Sequence, residues 1–90
     1  MRTSKAEVIP RAQAVKVTAD DLIVELTDGR SIIVPLAWFP RLLHATTAQR
    51  RKWEFVGEGE GIHWPLIDED LSVAGLLRGT PAPQKSRRAG

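Results

Sequence analysis

From position 14 to position 34 the chain alternates apolar and polar residues. In Ala14-Val15-Lys16-Val17-Thr18-Ala19, Val15 and Val17 share a face, and in Asp21-Leu22-Ile23-Val24-Glu25-Leu26-Thr27, Leu22, Val24 and Leu26 share one. A period of two is expected of a strand with one side buried, because successive side chains point to opposite faces. Asp28-Gly29 follows, and Arg30-Ser31-Ile32-Ile33-Val34 is β-branched again. Asp-Gly between two such runs predicts a type I′ hairpin turn with positive φ at both central residues. The pattern therefore predicts an antiparallel meander of three strands with turns near Asp20 and Asp28.

After Pro35, which cannot donate to a ladder, the period changes. Pro40 suits a helix start because it has no amide hydrogen to leave unpaired, and Phe39, Leu42 and Leu43 fall at helical spacing up to about Ala45. Thr46-Thr47-Ala48-Gln49 has the spacing of a capping box, which predicts a second short helix over 47–53. Glu54-Phe55-Val56 and Ile62-His63-Trp64 read as strand pieces. Between them, Gly57-Glu58-Gly59-Glu60-Gly61 suits a loop or a strongly bent strand. Ser72 can cap a last helix over 73–78, with Gly79 as its left-handed C-terminal residue. The sum is an α+β fold: a small antiparallel sheet, with a three-stranded meander and a later strand or hairpin, plus two or three short helices. Residues 1–13 are an N-terminal extension, 14–79 the single domain, and 80–90 a basic tail expected to be disordered because it has no apolar periodicity.

Composition narrows the function. A folding unit of about 70 residues buries only about 60% of its unfolded surface, which leaves little room for an enclosed substrate cavity. A groove or a flat face is the expected kind of site. The chain has no cysteine, which excludes disulfides, thiolate nucleophiles and cysteine-ligated zinc. Neither an apolar signal core nor a run of the ~20 apolar residues needed for a membrane span is present, so the expected location is the cytoplasm. The net charge of +2 divides unevenly. Lys85, Arg87 and Arg88 lie in the tail, so residues 1–80 carry ten basic and eleven acidic side chains, a net −1. Dedicated nucleic-acid domains concentrate positive charge on the folded face, and here the tail holds the excess.

No grouping of residues names a reaction. His63 with Asp68, Glu69 and Asp70 offers one nitrogen and an acidic run, short of the two or three nitrogen or sulfur ligands that zinc or iron sites use. The acidic run reads instead as a solvated turn leading into the last helix, and His63 as a half-exposed strand residue. The glycine-glutamate loop lacks the Lys-Ser/Thr of a phosphate loop, and its two glutamates would repel phosphate. Neither Ser31 nor Ser72 has a histidine–carboxylate pattern around it that would argue for a nucleophile. No catalytic, cofactor-binding or metal residue is therefore expected, and no cofactor. Arg50-Arg51-Lys52 before Trp53, with Arg41 and the tail cations Lys85, Arg87 and Arg88, is the candidate nucleic-acid surface. Three tryptophans and two phenylalanines in so small a body belong either to its core or to an interface. Phe39, Phe55 and Trp64 are assigned to the core. Trp38 is assigned equally to core and surface, and Trp38, Phe39 and Arg41 form a candidate partner-binding set.

The stretch Gly61-Ile62-His63-Trp64-Pro65-Leu66-Ile67-Asp68-Glu69-Asp70-Leu71-Ser72-Val73-Ala74-Gly75-Leu76-Leu77 resembles the bacterial domain of unknown function 2442 family. So does Asp28-Gly29-Arg30, followed by a hydrophobic strand and Pro35-Leu36-Ala37-Trp38-Phe39-Pro40-Arg41-Leu42. The resemblance spans nearly everything from Ala14 to Gly79. It implies a compact α+β domain with a small antiparallel sheet and no established activity. It also implies that the Asp-Glu-Asp-Leu-Ser run is structural, with carboxylates ending an extended segment, Leu71 in the core and Ser72 as a cap. Members resemble partners in paired-gene arrangements of the toxin–antitoxin type, and some carry an added helix-turn-helix. No such pattern follows Gly79, so direct operator binding is not expected.

The expected function is a non-enzymatic protein-interaction module, antitoxin-like, whose expected protein partner is the product of an adjacent gene. The alternative is an accessory domain that binds nucleic acid or regulates transcription through the basic helix and tail. No membrane contact is expected, and the sequence leaves the oligomeric state open.

Overall fold

A computed structural model describes residues 9–79. The basic tail, with Lys85, Arg87 and Arg88, and most of the N-terminal extension lie outside the described residues. Strands β1 (Ala12–Val17), β2 (Asp21–Leu26) and β3 (Ser31–Pro35) form the expected antiparallel meander, with β2 central. The alternation works as the sequence implies. Val15, Val24 and Ile32 lie side by side across the sheet, as do Val17, Leu22 and Val34, and these rows point inward. β1 begins at Ala12, two residues before the expected boundary. A bulge between Ala12 and Ala14 breaks the period-two pattern there and hides the start of the strand from the sequence.

The Asp28-Gly29 hairpin differs in type from the expectation. Positive φ occurs at Gly29 (96°) and not at Asp28. The Gly29 N–H donates to the Leu26 carbonyl, and the Leu26 N–H donates to the Arg30 carbonyl, closing a loop of three residues rather than two. One left-handed residue is enough for that loop, with glycine supplying it. Asp28 braces the turn from its side chain, where the carboxylate accepts the Arg30 N–H at 3.0 Å and Nε at 2.8 Å. The Arg30 amide in particular holds the Asp28 carboxyl below its ordinary value.

The second half forms another three-stranded antiparallel sheet, where the sequence suggested only a strand or hairpin. It comprises β4 (Glu54–Val56), β5 (Gly61–Trp64) and β6 (Glu69–Ser72), with β5 central. The reading of residues 68–70 as a solvated turn leading into a helix is corrected here. Of these three only Asp68 belongs to the turn, which spans 65–68, and its φ of 54° is a conformation that aspartate tolerates. Glu69 and Asp70 belong to β6, where Glu69 and Leu71 are buried and Asp70 and Ser72 exposed. A carboxylate at an inward position concealed the alternation. Arg41 lies beside that position, with Nη1 at 4.0 Å from Glu69 Oε1, and it also donates to the Asp68 carbonyl.

Between the sheets run a 3-10 turn (Leu36–Trp38), α1 (Pro40–Leu43) and α2 (Thr47–Arg51). The capping box forms as its spacing predicts. Thr46 Oγ1 accepts the Gln49 N–H, and Gln49 Oε1 accepts the Thr46 N–H. The last helix, α3 (Val73–Arg78), has Ser72 as its cap and Gly79 left-handed at φ 77°. Side chains of both sheets and of the connecting turns meet in one core, which includes Leu22, Leu26, Leu36, Phe39, Ile62 and Trp64.

Candidate functional site

The geometry sorts the candidate residues into those that build the domain and those that remain at its surface. Phe39, a candidate for partner binding, is only 1% exposed and is a core residue. Trp38 is half-buried against the same core, edge-on to Phe39 with centroids 6.4 Å apart. Arg41, the third of that set, straps α1 to the β5–β6 turn through the Asp68 carbonyl. Tertiary structure has thus drawn most of this set inward.

The basic helix is divided in the same way. Arg50 folds back, and its Nε and Nη2 donate to the Leu42 and Leu43 carbonyls at 3.0 and 2.8 Å, while Nη1 lies 3.5 Å from the Thr18 carbonyl. Those carbonyls lie at the end of α1, where the Leu42 carbonyl also accepts the Ala45 N–H at 3.2 Å, so Arg50 adds side-chain donors to the C-terminus of its neighbour. The Arg50 carbonyl in turn accepts Nε1–H of the buried Trp64 at 3.0 Å. Arg51 and Lys52 keep their cations in solvent. Sequence gives three adjacent cations equal standing, and only the fold distinguishes them.

Phe55, expected in the core, is instead at the surface. It is 38% exposed and Val56 is 47% exposed, on a three-residue strand at the edge of its sheet. Its ring lies against Trp53, with centroids 5.0 Å apart. The Val56 carbonyl accepts the Glu60 N–H and so faces into the hairpin. Alternation along the ladder then turns the Phe55 N–H and C=O outward. β4 therefore presents an aromatic pair, a valine and an open backbone edge together.

The glycine-glutamate loop is a structural clasp. Ala12 N–H donates to the Gly59 carbonyl at 2.7 Å, and Arg11 pairs with Glu58 at 2.9 Å, which fixes the β4–β5 turn to the start of β1. A groove of about 440 Å³ opens between residues 15–19 on one side and Thr47, Arg51 and Trp53 on the other. A second, of about 500 Å³, lies between residues 9–11 and the β6–α3 junction.

His63 is a partly buried strand residue, as expected. Its Nδ1 lies 2.8 Å from Asp70 Oδ1 across the β5–β6 ladder. Among the described residues no group of three or more histidine or carboxylate side chains is placed to hold a metal. Among the same residues no helix is long and apolar enough to cross a membrane.

These features define a small α+β domain of two three-stranded meanders around one core, whose surface offers an aromatic strand edge and open grooves. The family described as "Protein of unknown function (DUF2442)" matches residues 12–82, and the chain belongs to it. A protein of unknown function from Rhodospirillum rubrum has a similar solved structure. Its TM-score is 0.72 at 31% identity, over 84% of this chain and 94% of that one. An uncharacterized protein from Chromobacterium violaceum, solved in solution, has a TM-score of 0.70 at 23% identity, over 83% of this chain and 71% of that one. At that identity the likeness shows a common fold. No curated protein matches the chain.

Proposed function

We propose that this chain is a non-enzymatic protein-interaction module, the antitoxin-like partner in a bacterial gene pair, acting in the cytoplasm. The observation that carries the reading is the β4 edge. Phe55 and Val56 are exposed beside Trp53, and the Phe55 backbone groups face outward. Aromatic anchors of this kind dominate interface energetics, and an open strand edge is a ready template for pairing. The exposure of Arg51 and Lys52 favours a second reading, nucleic-acid binding, but the commitment of Arg50 to the α1 carbonyls weakens it.

Co-expression with the product of the adjacent gene tests the proposal. A stable complex is expected, together with relief of any growth defect the neighbour causes when expressed alone. Absence of a complex, with normal growth under the neighbour alone, would overturn it.

A further inference from the structure

We infer that the groove beside β1 binds an extended peptide segment that alternates acidic and apolar side chains, by adding it as a strand to the open β1 edge. The inference rests on the protein-interaction reading and names the chemistry of the partner.

Backbone direction is the first observation. Leu26 N–H donates to the Arg30 carbonyl, so the backbone groups of Leu22, Val24 and Leu26 face β3, and those of Ile23 and Glu25 face β1. Their register partners on β1 are Lys16 and Ala14, which therefore face back toward β2. Alternation leaves the N–H and C=O groups of Val15 and Val17 pointing away from the sheet. The groove is lined by the consecutive residues 15–19, so it views the strand from its edge and not from one face. The groove lies between the Ala12–Gly59 bond at one end of the strand and the Arg50–Thr18 contact at the other, beside the outward backbone groups of Val15 and Val17.

Charge is the second observation. Lys16 on one wall and Arg51 on the other are exposed cations, Arg50 lies behind them, and no carboxylate lines the groove. A strand added here would place side chains alternately beside Lys16 and beside the half-buried Val15 and Val17. Acidic residues complement the first position and apolar residues the second. Nucleic acid fits less well. A phosphate backbone offers acceptors but no regularly spaced N–H donors for the outward Val15 and Val17 carbonyls, and Trp53 is already packed against Phe55.

The test uses the full-length protein and a fluorescein-labelled peptide of alternating glutamate and valine, followed by anisotropy. Saturable binding is expected, and Lys16→Glu or Arg51→Glu should weaken it by about tenfold or more. A lysine-valine peptide should show the opposite preference, binding the charge-reversed proteins more tightly than the parent. N-methylation of alternate peptide amides preserves charge but removes ladder donors, and it should abolish binding in one of the two phases. Equal binding by both N-methylated forms would overturn strand addition. So would tighter binding of single-stranded DNA of the same length, or no peptide binding at all. Where the adjacent gene product still forms its complex without peptide binding, the groove inference fails and the interaction-module reading stands. Where both are absent, both fail.

Discussion

Replacing Gly59 with alanine should unclasp the two halves of the domain. Gly59 sits at φ 94°, where an L-residue is strained by about 1–2 kcal/mol. A Cβ at this position would lie 2.5 Å from the Ala12 carbonyl oxygen, well inside contact distance, and that neighbour is backbone that cannot rotate away. The turn must retreat, breaking the 2.7 Å bond from Ala12 N–H to the Gly59 carbonyl. Losing one such bond adds about 0.5–1.5 kcal/mol, for a total of about 1.5–3.5 kcal/mol. In a domain of this size that lowers the melting temperature by roughly 10–20 °C. Gly29→Ala is the matched control, since its φ of 96° is nearly the same but nothing lies within 4 Å of the added carbon. The control should show only the conformational part, about 1–2 kcal/mol. Differential scanning calorimetry of the two variants, with hydrogen exchange at the Ala12 amide, reads both effects. Equal melting temperatures, or an Ala12 amide that exchanges as slowly in Gly59→Ala as in the parent, would refute the clasp.

Other consequences follow from the same contacts. Arg50→Met keeps an unbranched stem but removes the donors to the Leu42 and Leu43 carbonyls, and urea denaturation should show a loss of about 1–3 kcal/mol. Asp68→Gly should raise the melting temperature slightly while Asp68→Val lowers it, because the turn needs φ near 54°. If both variants melt like the parent, the β5–β6 turn has a different conformation. The Asp28 carboxyl is held below its ordinary value of 3.8, mainly by the Arg30 amide, so its stabilising effect is present above that pH. The difference in stability between the parent and Asp28→Ala should therefore shrink as pH falls through the lowered value, and a difference that grows on acidification would contradict the contact.

What could be read from the sequence was local. The first meander, the Thr46 capping box, the Ser72 cap and Gly79 all rest on spacings of a few residues, and each forms. The features that escaped depend on distant partners. β6 was hidden because Glu69 occupies an inward position beside Arg41, 28 positions earlier in the chain. Phe55 looked like core because aromatics usually are, and nothing near it reveals that β4 lies at a sheet edge. Arg50 is indistinguishable from Arg51 until α1 places the Leu42 and Leu43 carbonyls within its reach. The β1 groove likewise forms between elements far apart in sequence, residues 15–19 on one wall and Thr47, Arg51 and Trp53 on the other.

The most direct test of the interaction reading is the affinity of the adjacent gene product for the parent protein and for Phe55→Ser and Val56→Asp, measured by calorimetric titration. Melting curves recorded alongside separate loss of contact from loss of fold. The account predicts tight binding by the parent, weakened by about tenfold or more in each variant. Undiminished binding by both variants, each with a melting temperature close to that of the parent, would contradict it.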